Sequence, residues 1–191
     1  PSACSCSSGQ LHASTVGVAS YLPAYAGLLM EAELAALTRL TVNPVKPFVC
    51  AIGGAKVADK VGVFENLLDR VDAFVIGGGM ANTFLAAQGV DGGTSLRDPD
   101  LSPARSIVAH AAARHVALHL PTDAVVADAF DADATAQTVA LADVGKRMIL
   151  AIGPAPAAAY AAVLRGATPI VFNGTLGVSE PTPYQHGTSQ I

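Results

Sequence analysis

The chain is 191 residues long, 51% of them hydrophobic, with 18 glycines and a formal net charge of −4 at pH 7. That is room for one good-sized domain with a real core. The acidic balance argues against a nucleic-acid surface, and no apolar stretch approaches bilayer length, so neither nucleic acid nor a membrane is expected as a partner.

In chain order, residues 24–40 carry Leu28, Leu29, Ala32, Leu34, Leu37 and Leu40 at helical spacing. Pro44 and Pro47 break that helix. Residues 47–52 (Pro-Phe-Val-Cys-Ala-Ile) predict a buried strand, followed by the turn Gly53-Gly54 and a second helix. The helix shows as an apolar stripe of Val57, Val61, Phe64 and Leu68, at steps of four, three and four. Residues 72–80 repeat the arrangement: a short apolar strand, then Gly77, Gly78 and Gly79, then a helix from near Ala81. Ser102-Pro103 signals a helix running to about Arg114. Strands are expected over 116–120, 125–129, 148–154 and 168–174, with a last helix over 155–165. Alternating strands and helices imply a Rossmann-like, doubly wound α/β fold, with a mostly parallel sheet between two helical layers. In such sheets ligands bind beyond the carboxyl ends of the strands, near a topological switch point, where the glycine turns fall.

Lys56 and Lys60 lie four apart just after the first of these turns, which predicts that they stack a turn apart on one flank of the helix stripe, and the chain has only two other lysines, Lys46 and Lys146. Two ammonium groups beside free N–H groups at a helix start suit a polyanion. The plainer alternative is a strand–helix turn with two solvated lysines. None of the five histidines has a carboxylate or serine at triad spacing, so no catalytic histidine is assigned. Cys4 and Cys6 lack zinc-finger partners and Cys50 reads as a small core residue. No protein metal site is expected, and a reducing, cytoplasmic setting is the simplest fit. No charged-then-apolar leader is present, and a chain opening on Pro1 has lost, or never included, its start.

Three segments then carry a family resemblance: residues 53–60 (Gly-Gly-Ala-Lys-Val-Ala-Asp-Lys), 77–80 (Gly-Gly-Gly-Met), and Asn173-Gly174 through Gly177-Val178 and Glu180. In order and spacing they resemble the signature segments of phosphoglycerate kinase. Residues 120–123 (Leu-Pro-Thr-Asp), 125–128 (Val-Val-Ala-Asp), 12–18 from His12, and 22–31 fit the same family. The resemblance covers all but about the first ten residues. It implies reversible phosphoryl transfer in glycolysis, between 1,3-bisphosphoglycerate and ADP, giving 3-phosphoglycerate and ATP with Mg2+. By resemblance Lys56 reaches the phosphoryl group in flight and Lys60 holds nucleotide phosphates. Gly54 lets backbone approach the nucleotide. Gly78 and Gly79 floor the adenine pocket, with Leu96, Leu150 and Val178 as its apolar walls, three residues that core packing would explain equally well. Asn173 lies near the phosphates and Glu180 on the ribose hydroxyls. The domains expected from the resemblance are a remnant of the triose-binding N-terminal domain (1–23), an interdomain helix (24–41) and an incomplete nucleotide-binding C-terminal domain (42–191).

The departures from the family pattern bear on activity. Gly9-Gln10 stand where the family has a His-Arg pair, and the late Gly-Gly-Gly-Asp-Thr loop, with the aspartate that holds magnesium, is missing. Thr175 replaces a proline, Ser179 a phenylalanine and Ala151 an aspartate. Alignment of both reactants is worth roughly 7–11 kcal/mol of a barrier, so a chain holding nucleotide alone is expected to have no useful turnover. A non-catalytic nucleotide-binding or interaction module is the alternative. A nicotinamide oxidoreductase fits poorly, since no Gly-x-Gly-x-x-Gly follows a strand with an acidic residue about 20 positions on.

Overall fold

The computed structural model describes residues 16–42, 44–131, 134–178, 184 and 186–191. Gly9, Gln10, His12, Cys4, Cys6, Ser179 and Glu180 lie outside the described residues. The chain divides into two compact units, Pro1–Pro44 and Val45–Ile191. In the first, a 3-10 turn (Val18–Ser20) precedes helix α1 (Leu28–Val42). The helix begins at Leu28, the first residue of the leucine spacing, rather than at residue 24, with a backbone bond from the Glu31 N–H to the Gly27 carbonyl at its start.

The second unit is built on a four-stranded parallel sheet of β1 (Val49–Ile52), β2 (Ala73–Ile76), β3 (Ala117–His119) and β7 (Ile170–Asn173), in the order β3-β2-β1-β7. Every residue of β1 and β2 is buried, as a parallel sheet covered on both faces requires, and this is why both strands read as unbroken apolar runs. The two faces are distinct. Val49, Ala51, Ala73 and Val75 pack against Ala157, Tyr160 and Leu164 of α5 (Pro154–Arg165). Phe74 points the other way, into a ring cluster with Phe64 of α2 (Val61–Leu67) and Phe84 of α3 (Gly78–Ala87), at centroid distances of 4.9 Å to Phe64 and 5.5 Å between Phe64 and Phe84. Helix α4 (Ser102–Ala113) lies alongside α3 and turns Ala104, Ile107 and Ala111 inward. The expected three-layer α/β fold with a parallel sheet is the one observed.

A second sheet departs from the purely alternating pattern. Strands β4 (Asp123–Ala127), β5 (Gln137–Ala140) and β6 (Met148–Ile152) pair antiparallel in the order β5-β4-β6. Strand β5 had no sequence signal, because its residues are largely exposed and lack an apolar repeat. In the parallel sheet β3 and β7 are the edge strands, and Ile170 and Phe172 of β7 are exposed. Among the described residues the chain closes with a short helix, α6 (His186–Ser189).

Helix boundaries explain two differences from the sequence expectation. Helix α3 begins at Gly78 rather than near Ala81, so Gly78 and Gly79 form its first turn. The lysine segment is a 3-10 turn (Ala58–Lys60) before α2, so Lys56 precedes the helix and the two lysines do not stack along one helical face.

Candidate functional site

Parallel pairing aligns Ile52, Ile76 and Asn173 at the carboxyl ends of β1, β2 and β7. The chain leaves β1 toward β2 on one side, and β7 returns on the other, so the switch point falls at β1. The turns that follow are packed backbone against backbone. The Gly53 N–H donates to the Asn173 carbonyl (3.0 Å), Gly77 N–H to Ile52 O (3.1 Å), and Met80 N–H to Gly54 O (3.0 Å). Gly54 and Gly78 have φ of +126° and +67°, a region open to glycine at no steric cost. A Cβ on Gly78 would also lie 2.8 Å from the Gly54 carbonyl oxygen. These glycines are needed for the turns to meet each other before any ligand is considered.

Beyond the turns lies a cleft of about 440 Å³. Gly54, Ala55, Gly78 and Gly79 line one part of it; Leu96, Leu150, Ile149, Met148 and Val178 line the rest, with Phe130, Thr175, Gly177 and Asn82. A cleft of that size, largely apolar with a few polar groups, suits a flat, uncharged ring system. Leu96 and Phe130 are 58% and 60% exposed, so both present apolar surface to solvent. Asn82 is buried; its Nδ2 donates to the Leu96 carbonyl (3.1 Å) while its Oδ1 has no partner among the described residues. Behind it is an interior void of about 10 Å³, enough for one water at most. Ala151, at the position of the family's aspartate, is buried and bridges to Gly177, whose missing Cβ would lie 2.7 Å from that of Ala151.

Lys60 is tied to the strand ends. Its Nζ donates to Gly53 O (2.6 Å), Asn173 O (2.9 Å) and Asn173 Oδ1 (2.6 Å). A Cβ on Gly54 would sit 3.5 Å from that Nζ, so the cation borders the glycine turn. Partial burial holds Lys60 below the ordinary lysine value, with nearby Cys50 acting weakly the other way. Burial likewise pushes the Cys50 thiol up to about 12, which makes it an inert core group. Lys56 is exposed and makes no hydrogen bond or ion pair among the described residues.

The backbone donors next to Lys56 are not free, contrary to the sequence expectation. Asp98 Oδ2 accepts the N–H groups of Val57 (2.8 Å) and Ala58 (3.2 Å). An anion must therefore meet the lysine side chains rather than those two amides. Of the candidates from sequence, Gly54, Gly78, Gly79, Leu96, Leu150 and Val178 gather in one cleft; Lys60 and Asn173 lie together beside it, and Lys56 stands free. Sequence reasoning missed Asn82, Phe130, Met148, Ile149 and Asp98, and none of these carries a local signal. Elsewhere, His110 Nδ1 lies 2.9 Å from Glu65 Oε1 on the α2–α4 surface.

Comparison with known proteins identifies the family. The sequence model of the family "Phosphoglycerate kinase" matches residues 6–191. Phosphoglycerate kinase of Roseiflexus castenholzii is 54% identical over 188 residues, 97% of this chain and 47% of that protein. The one from Chloroflexus aurantiacus is 51% identical over 94% of this chain and 46% of its own length. Among solved structures, phosphoglycerate kinase from Coxiella burnetii superimposes with a TM-score of 0.87 at 43% identity, covering 93% of this chain and 46% of that one. The chain thus spans about half the length of the curated relatives it matches. It belongs to the phosphoglycerate kinase family.

Proposed function

We propose that this chain holds the nucleotide of a phosphoglycerate kinase, in the cleft at the carboxyl ends of β1, β2 and β7. The whole protein's reaction is then phosphoryl transfer between 1,3-bisphosphoglycerate and ADP, in the cytoplasm, as part of glycolysis. The observation that carries this is the single cleft in which Gly54, Gly78 and Gly79 face Leu96, Leu150 and Val178, with Lys60 and Asn173 bordering the same turns. A purine fits between glycine backbone and aliphatic side chains, and its phosphates extend toward the cations. Lys56, exposed and uncommitted, is the group able to reach a phosphoryl in transfer, and Lys60 the one that holds nucleotide phosphates, with Glu180 on the ribose. Phosphoryl transfer asks chiefly for alignment and positive charge, which two lysines supply.

Among the described residues no three His, Cys, Asp or Glu side chains gather to hold a metal ion. In this reading magnesium comes with the nucleotide, and no step is drawn through it. In the proposed domain arrangement residues 42–191 bind nucleotide, 24–41 connect, and 1–23 belong with a triose-binding half. A chain that aligns only one reactant forfeits most of the proximity advantage, so these 191 residues alone have no useful turnover. The test is calorimetric titration with Mg-ADP beside Lys60→Ala, with a coupled 3-phosphoglycerate and ATP assay. Saturable binding lost in Lys60→Ala, without turnover, supports the proposal. A folded chain that binds no Mg-ADP refutes it.

A further inference from the structure

The segment between α3 and α4 meets both the cleft and the lysine turn within three residues. Leu96 is one of its apolar walls, and Asp98 is a buried acid, 5% exposed, bonded to the turn beside Lys56. We propose that Asp98 is the positioning residue for the phosphate end of the site: its carboxylate fixes the turn that carries Lys56. The proposal deepens the nucleotide reading above and rests on it.

A carboxylate that deep is tolerated only when its lone pairs are used. Here Oδ2 takes the N–H groups of Val57 and Ala58, the two residues after Lys56. Asp98 is itself anchored from the opposite side, because its own N–H donates to Thr83 Oγ1 (3.0 Å), and Thr83 is fully buried in α3. An unbroken chain of short bonds therefore runs from α3, whose first turn lines the cleft, through Asp98 to the lysine turn. Val57 adds a second anchor, being completely buried. Lys56 is thus the exposed end of a turn pinned by packing and by charge. With Val57 and Ala58 N–H already engaged, phosphate recognition at this turn depends on where the Lys56 side chain starts from. The carbonyl of Leu96, two residues before Asp98, accepts from Asn82, so the same segment fixes the apolar wall and the lysine turn relative to α3.

The test titrates ATP and adenosine into the wild-type chain, Asp98→Ala, Asp98→Asn, Lys56→Ala and the Lys56→Ala/Asp98→Ala double variant, with folding checked by circular dichroism. Adenosine reads the ring cleft alone; ATP adds the phosphate end, including the phosphoryl that Lys56 is proposed to reach. Asp98→Ala is expected to weaken ATP about tenfold, the value of one hydrogen bond to a charged group, and to leave adenosine within about twofold. Asp98→Asn keeps an acceptor for the two N–H groups and recovers most of the ATP affinity. In a Lys56→Ala background, Asp98→Ala adds no further loss for ATP, because the two act through one another. Should Asp98→Ala fail to fold, Asp98→Ser, too short to reach both amides, takes its place in each comparison. Equal weakening of adenosine and ATP, or additive losses in the double variant, overturns the positioning role while leaving the nucleotide reading intact. A folded wild-type chain that binds neither ligand overturns both.

Discussion

Replacing Lys60 by Met removes the ammonium and keeps an apolar stem of similar length, so it isolates the three bonds at the strand ends. A bond from a charged donor contributes about 1.5–3 kcal/mol when its partner would otherwise be stranded. Only the Gly53 carbonyl fits that description, since it is the part-buried acceptor; both Asn173 oxygens are exposed and water takes over there. Solvent screening reduces those two to a few tenths each. The variant is also relieved of burying part of an ammonium. The expected net loss is about 1–2 kcal/mol, read as a lower urea midpoint with unchanged slope. The pH dependence is the sharper arm. Burial lowers the folded pKa of Lys60 below 10.5, so in that window the unfolded chain holds more protons than the folded one. Raising pH through the window then favours the fold, and wild type should gain stability relative to Lys60→Met up to about 10.5. The three oxygen acceptors pull the other way, toward the charged form. Wild type losing ground to the variant over that range would show that they outweigh burial, and an unchanged urea midpoint would show that Lys60 does not tie β1 to β7 at all.

Three further outcomes follow from the same coordinates. Tyr160, buried in α5, has its hydroxyl within bonding distance of the Ile76 (2.9 Å) and His119 (3.1 Å) carbonyls, so Tyr160→Phe should cost about 1–2 kcal/mol in thermal or urea unfolding; a neutral result would mean that water satisfies those carbonyls. Asp72 ties the starts of β1 and β2 by accepting from Lys46 Nζ (2.7 Å) and the Phe48 N–H (2.8 Å). Burial alone would raise its pKa, but these bonds and the Lys46 charge outweigh it and hold the carboxyl below its ordinary value. Its contribution is therefore present above the unfolded value of about 3.9 and lost as pH falls through the folded one. Asp72→Asn should narrow the gap to wild type in acid; a gap that persists at pH 2 would contradict this. Gly53→Ala places a Cβ 2.0 Å from the Thr175 carbonyl oxygen and 2.6 Å from its carbon. Backbone must move, so a loss of about 1–3 kcal/mol or more is expected by differential scanning calorimetry, and a stable Gly53→Ala chain would show that the turn after β7 yields freely.

The parts of the fold visible in the sequence are those set by local chemistry. Strands β1 and β2 are four-residue runs buried on both faces, so their apolar character is continuous and needs no partner to be recognised. Of the stripe Val57, Val61, Phe64 and Leu68, Val57, Phe64 and Leu68 mark the buried side of the α2 segment for the same reason, each being almost fully buried, while Val61 is only half-buried. Helix ends were harder: Gly78 and Gly79 read as turn residues, yet tertiary packing against Gly54 draws them into the first turn of α3. Strands β4 and β6 are apolar and legible, but their antiparallel pairing in a second sheet was not foreseen, and β5 is recruited by pairing alone.

The site divides along the same line. The sequence by itself determined that glycine turns end apolar strands and that two lysines stand just after the first of them, because those features are contiguous in the chain. Only the tertiary structure decided which groups each lysine meets. Lys60 meets Asn173 across 113 positions because parallel register brings the ends of β1 and β7 level. Lys56 is left free while Asp98, 41 positions from Val57, consumes the amides that a reading of the helix start alone would offer to a ligand. Composition and periodicity record which face of an element is apolar; which polar group meets which is a matter of register and approach, and those exist only once the sheet has formed.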